Sequence, residues 1–581
     1  MRIAYAALAA VALAAAGAGA PAPATAGGLV SAGGAAEVGL ARTGDGTEPA
    51  GEQAGEESQA ATTSATAADA VFSSPVSSDP LPTVQINGVV WAQAVVGDKV
   101  YVGGKFTTAR PAGAAPGTQE VARRNLLAYD LHTGRLIQDW APAANGEVRD
   151  LAVSPDGTRL YVAGQFTAIG GTTRYRAASF STSTGALTSF RPAVNATVHA
   201  VGVRGSTVYL GGVFSSVNSA TRPRVAAVDT ATGRTTRAFR ANVGNRSVQD
   251  LVVSPDGTKV VISGNFTSVN GSSNPGYGMA RLDATTGAML PLPVNTEIRD
   301  AGDNSAILSL ASDDTYFYGV GYHWATSGNL EGTFAARWDD GKLVWLEDCH
   351  GDSYSIAPYG GALYSASHKH DCTTSGGHPN ARPRVFKRAT ATTRTVEGTN
   401  LATATEGYPD HPGTPRPRIL NWYPEFEAGT FTGQQQGPWD VVAGGGYVLY
   451  GGEFPAVNGR KQQGLVRFAV RDKAPNDDGP RRGSQGFALT ASSPGSGTVN
   501  LSWPSLYDRD DETLAYSVYR GTTSGTPVVV KERTARFWET GTMTYADRTA
   551  PAGTTQRYIV AARDRWGNTA WSAWVNVDVA R

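Results

Sequence analysis

Residues 100–106 read VYVGGKF, a short apolar strand running into small residues and then an aromatic ring. The unit returns as LYVAGQF at 160–166, VYLGGVF at 208–214 and VVISGNF at 260–266. Further copies at 316–322 (YFYGVGY), 363–369 (LYSASHK) and 448–454 (VLYGGEF) bring the number to seven. A strand stands before each copy, and two of the joining turns read Ser-Pro-Asp-Gly-Thr around Asp156-Gly157 and Asp256-Gly257. Asp-Gly between apolar runs signals a hairpin, because the favoured two-residue turn needs positive φ. In most copies a third strand ends in a Thr-Gly turn (AYDLHTG, SFSTSTG, AVDTATG, RLDATTG), and a fourth runs into an asparagine. Asn145, Asn195, Asn245 and Asn295 stand 50 residues apart, each three residues before Val148, Val198, Val248 or Ile298. Asn87 with Val90 repeats the pattern ahead of the first copy.

Four strands at a period near 50 predict a propeller blade, so 79–470 is expected to form a seven-bladed β-propeller. Separate hairpins in a sandwich do not account for the fixed interval. The seventh copy lacks a fourth strand after 465–470, while 81–87 reads as a fourth strand with no blade before it. Pairing the two would close the ring with the N-terminal strand and remove two open sheet edges.

The run after each second strand, Gly104-Lys-Phe106-Thr, Gly164-Gln-Phe166-Thr and Gly264-Asn-Phe266-Thr, resembles the delta-60-type propeller repeats of secreted bacterial proteins. The sixth copy departs from it, with Lys369 in the aromatic position. That resemblance implies a fold and a location but no established activity. Residues 471–485 (RDKAPNDDGPRRGSQ) read as a charged linker. Beyond it, 486–581 is similar to a fibronectin type III domain: Trp503 in VNLSWP, the run LAYSVYRG and Tyr558 in QRYIVAARDRWGN fit its strands B, C and F.

Arg2, the apolar alanine-rich run after it and Ala24-Thr25-Ala26 predict a secretory signal peptide over 1–26. Residues 27–78, poor in aromatic residues, read as a disordered leader. No later stretch is apolar enough to span a membrane and no cysteine follows the signal, so a soluble, secreted protein without a membrane anchor is expected. Fifty basic and fifty acidic residues leave no net charge, which argues against a nucleic-acid partner. The two cysteines, Cys349 and Cys372, lie in the sixth copy. A hairpin turning at Gly360-Gly361 would place them face to face, as a disulfide requires. The same register sets His350 opposite Asp371 and Asp352 opposite Lys369, with His368 and His370 on the other side beside the cysteines.

Six of the eight histidines fall between His323 and His411. His350, Asp352, His368, His370 and Asp371 are expected to converge on one face of the ring as a ligand or metal site, a divalent ion being the one cofactor suggested. A hydrogen-bonded polar rim is the competing reading. Asp352, Glu425 and Glu427 are candidate catalytic carboxylates. Asp508, Asp510 and Asp511 could give calcium its hard oxygens, against a merely solvated loop. Trp566, Trp571 and Trp574 suggest an Arg–Trp ladder with Arg563 and Arg565, a flat surface for stacking sugars being the competing reading. The function expected is binding of an extracellular or cell-wall polysaccharide through the propeller face; glycoside hydrolysis or lysis, and a protein-binding scaffold, are the alternatives.

Overall fold

The computed structural model describes residues 74–324, 327–402, 408–483 and 486–581, so the expected signal peptide and most of the expected leader lie outside the described residues. Nearly every regular element is a β-strand; the one helix among the described residues is the single turn Val294–Glu297. Seven small antiparallel sheets follow one another. Their first strands are Val89–Val96, Val148–Val153, Val198–Arg204, Val248–Val253, Ser305–Ser312, Ser353–Tyr359 and Pro438–Gly444. In each, the quoted repeat is the second strand, held between the first and a third. A regular fourth strand is present in the fourth and fifth sheets, Met289–Leu290 and Leu343–Glu347. In the first three sheets and the sixth it shrinks to one bridge each, Tyr129 with Leu136, Phe180 with Leu187, Val228 with Thr235 and Thr392 with Ile419.

All seven first strands carry a β-bulge at the same place. The residues left out of register are Trp91, Arg149, His199, Gln249, Leu308, Tyr354 and Trp439, none more than 6% exposed. A bulge turns one side chain out of the pleat, and here the freed side chains meet those of other sheets. The Arg149 guanidinium lies 4.8 Å from the Trp91 ring, which stands 5.7 Å from Trp439, itself 4.5 Å from Tyr354. Each first strand also packs on the next, and the seventh packs on the first. The residue after the bulge stitches neighbours: Asp150 accepts from Val201 N at 2.6 Å, Asp250 from Leu310 N at 2.7 Å, and Asp440 from the Gln93 amide at 3.1 Å. The sheets thus join through side chains and stay separate as hydrogen-bonded ladders.

The 50-residue asparagine has a plain role. Asn195 Oδ1 accepts from the N–H groups of Ser215 and Ser216, and its amide donates to Ser215 Oγ. Asn145 and Asn87 clamp their own sheets in the same way.

The N-terminal segment pairs with the seventh sheet, but from an earlier point than expected. Val76 bridges Val470 and Leu81 bridges Arg467, whereas Gln85–Ile86 turns away to pair with Ala109 and Arg110. Residues 74–78, assigned to the leader, are therefore part of the fold, with Val76 fully buried. Pro82 explains the break, since it has no N–H for a ladder.

The C-terminal domain is two packed sheets. One orders Thr490–Gly495, Thr498–Pro504 and Thr542–Asp547; the other centres on Thr513–Arg520 and Thr555–Arg563. Trp503, Tyr516 and Tyr558 fill the space between them. The charged segment 471–485 is bonded at both flanks: Asp477 and Asp478 N–H donate to Asp79, and Asn568 donates to the carbonyls of Asn476 and Asp478.

Candidate functional site

The sixth hairpin turns at Gly360 (φ 56°) and Gly361 (φ 83°), pairing Tyr359 with Ala362 as the sequence implied. Farther out His350 bridges Asp371, and Cys349 and Cys372 form a disulfide with Cα atoms 4.2 Å apart. Between these points the bulge at Tyr354 shifts the register, which corrects the expected pairing of Asp352 with Lys369. Asp352 O accepts from His368 N, and His368 Nε2 lies 3.7 Å from the Asp352 carboxylate. Lys369 turns into the protein, where its ammonium meets both Glu347 oxygens at 2.8 Å. The histidines do not split across the hairpin either: Tyr408, from the segment between the third strand of this sheet and Ile419, stacks on His350 at 4.3 Å and stands 6.0 Å from His370.

What reaches solvent is a short polar chain. His368 Nδ1 sits 2.6 Å from the Tyr354 hydroxyl and 3.1 Å from Gln436 Oε1. The side chains of His368 and Asp352 are 21% and 28% exposed. Burial pushes the Asp352 carboxyl up despite the His368 imidazole beside it. Glu331, which sequence reading missed, is raised well above the usual carboxyl range by burial and by the nearby Asp352 charge. Asp300 is raised by burial even though it accepts from Asn329 and Leu330 N–H groups. No motif marked Glu331 or Asp300; only sheet-to-sheet packing brings Glu331 near both Asp352 and Asp300. His370 is lowered to about 3, by burial first and then by Arg384, and His378 to about 4, by burial and then by Lys387. Both are neutral imidazoles near neutral pH.

Glu425 and Glu427 do not join Asp352. Glu425 pairs with Arg509 of the C-terminal domain at 2.5 Å, and Glu427 is exposed beside Ala456. Among the described residues the grouped His, Cys, Asp and Glu ligand atoms within 4.8 Å of one another fall in two places, Glu347 with Cys349 and Cys372, and Asp508 with Asp510 and Asp511. The first holds a disulfide and so offers no thiolate.

The acidic run is buried, contrary to a solvated loop: Asp508, Asp510 and Asp511 are at most 3% exposed. Arg471 approaches Asp510 at 3.2 Å and Arg565 approaches Asp511 at 2.9 Å. Asp508 Oδ2 and Asp511 Oδ2 have no hydrogen-bond partner among the described residues. Burial, then the Asp510 and Asp478 charges, raise Asp508 well above the usual range, and burial raises Asp511 to about 6. The aromatic ladder is partly as expected: Arg565 stands over Trp566 at 5.4 Å, but Arg557, not Arg563, covers Trp574 at 4.5 Å.

No family model and no curated protein matches the chain. Among solved structures, a chain of a mitotic checkpoint complex is similar at 11% identity and TM-score 0.36, covering 64% of this chain and 86% of its own. The extracellular domain of a putative one-component system from B. thetaiotaomicron is similar at 11% identity and TM-score 0.24, covering 84% and 86%.

Proposed function

We propose that the chain is a secreted binding protein, a seven-bladed β-propeller closed by its N-terminal segment and carrying a fibronectin type III domain, that engages extracellular polysaccharide at the mouth of its sixth blade. Seven successive sheets, the shared bulge and the packing of the seventh first strand on the first support the fold. A disulfide suits an oxidising compartment. The observation that carries the function is the partly exposed set Asp352, His368 and Gln436, held from below by the buried Tyr354 and Trp439 rings. A carboxylate, an imidazole and an amide held rigid near aromatic rings match the hydroxyl-rich faces of a sugar. Affinity electrophoresis against a panel of neutral and acidic polysaccharides tests it. At least one polymer should retard the protein, and Asp352→Ala with His368→Ala should abolish that shift; an unchanged shift in the folded double variant refutes this site.

Glu331 and Asp352 favour a second reading, hydrolysis. Glu331, raised by burial and by the Asp352 charge, and Asp352, raised by burial, suit an acid paired with a base or nucleophile. Release of reducing ends from the bound polymer, lost in Glu331→Gln, would separate enzyme from binder.

The buried oxygens of Asp508 and Asp511 favour a structural calcium ion between the ring and the C-terminal domain. Ser78 N–H donates to Asp510 and Asn421 donates to Asp508 O, so the cluster ties both parts together. Calcium after chelation should raise Tm in the parent and not in Asp508→Asn; equal melting with and without calcium removes the ion.

A further inference from the structure

Net neutrality hides a strongly cationic groove on the outer edge of the second and third sheets. It encloses about 1130 Å3, and its charged lining is Arg174, Arg191, Arg222, Arg234, Arg237 and Arg240, with no carboxylate and no aromatic side chain. Arg191, Arg234, Arg237 and Arg240 are exposed and carry no carboxylate partner among the described residues. Arg174 and Arg222 are fixed: each guanidinium donates to two carbonyls, those of Thr173 and Thr188 and those of Thr221 and Thr236. Burial lowers both, and the like charge of Arg191 or Arg240 lowers each further.

The arrangement is a repeat. Phe190 and Phe239 pack edge-on against the second-strand rings Tyr161 and Tyr209, and Arg191 and Arg240 follow them directly. Trp140 packs on Tyr101 in the first sheet, where the next residue is Ala141, so the fold does not need arginine there. The floor is rigid. Asn218 Oδ1 accepts from Ala193 N at 2.8 Å while its amide donates to Gly233 O at 2.8 Å and Thr235 Oγ1 at 3.0 Å. A Cβ on Gly233 (φ 77°) would come within 2.6 Å of Pro192 N, which keeps that turn close against the second sheet.

Two like pairs on adjacent sheets, Arg174 with Arg191 and Arg222 with Arg240, offer successive anchor points for a ligand that repeats its charge. Guanidinium forks fit tetrahedral oxyanions bidentately. The absence of a ring for base stacking disfavours single-stranded nucleic acid, and the scarcity of apolar lining disfavours a lipid surface. We infer that this groove binds a linear extracellular polymer carrying repeated phosphate or sulfate groups, at a site separate from the sixth-blade mouth.

Titration calorimetry of the full chain with inorganic polyphosphate, dextran sulfate, neutral dextran and an oligothymidylate tests it. Polyphosphate, dextran sulfate or both should bind, with affinity falling as salt rises, and neutral dextran should not; which polyanion binds tighter separates the phosphate and sulfate sources. Arg191→Ser, Arg237→Ser and Arg240→Ser together should weaken binding at least tenfold and flatten the salt dependence. The control Arg548→Ser, Arg563→Ser and Arg581→Ser, with the same loss of charge, should change affinity less than twofold. Asp352→Ala should leave polyanion binding intact, which keeps this result independent of the sixth-blade reading. No binding of either polyanion, equal losses in the two triple variants, or tighter binding of oligothymidylate would overturn the inference.

Discussion

The third and sixth sheets share a strand order and a bulge, yet they hold their hairpin mouths by different means. In the third, Asn195 clamps two N–H groups and the Phe214 ring is buried below. In the sixth there is no such asparagine, and Lys369 replaces the ring. A buried ion pair, a disulfide and the His350 imidazole stacked on Tyr408 take over. A single-residue clamp can be reused in any copy because it bonds only its own turn. The sixth mouth needs cross-links, and those leave polar side chains fixed at its rim.

Breaking the ion pair should have the largest effect. Lys369 and Glu347 are at most 1% exposed, so Lys369→Ala leaves a buried carboxylate without its cation. The expected loss is about 3–5 kcal/mol in urea unfolding. Adding Glu347→Leu to Lys369→Met should recover most of it; a single variant within about 1 kcal/mol of the parent would erase the contrast between the sheets.

The disulfide comes next. Its ends are 23 residues apart, and replacing both cysteines by serine should cost about 3 kcal/mol. Amide exchange should quicken around 349–372 and stay unchanged in the third sheet. Asn195→Ala should cost about 1 kcal/mol, because its bonds lie at a wet rim where water can replace them. Matching losses at Asn145 would sharpen the idea of one reusable clamp.

The smallest effect is on pH dependence. Burial, with Arg149 beside it, lowers His199 in the third sheet to about 4, and His378 beside the sixth is also lowered to about 4. A lowered imidazole favours the neutral form, so its stabilisation is complete above the unfolded value of about 6.5 and fades as pH falls toward 4. Asp79 and Asp511, raised to about 6, act in the opposite sense: their contribution is complete below about 4 and fades as pH rises to 6. The comparison must therefore be made against the parent. His378→Gln and His199→Gln should each flatten the loss of stability between pH 6.5 and 4.5, and a slope identical to the parent would show that the imidazole is charged in the fold.

Much of this was legible in residue order. The Gly360-Gly361 turn determined the hairpin count as far as Ser355 and, beyond the bulge, the meeting of His350 with Asp371 and of Cys349 with Cys372. The second-strand repeat marked seven units, and the asparagine recurred ahead of several of them because its clamp is made within its own unit. Hydrogen-bond ladders and turns are local, so spacing alone constrains them. The bulges were not legible, because they answer to packing between neighbouring first strands, and one skipped residue sent Lys369 inward and gave Asp352 to His368. Nor were the burial of Asp508–Asp511 and the gathering of six arginines in a neutral chain. Charge acts through space, and which side chains share that space was decided only when the sheets came together.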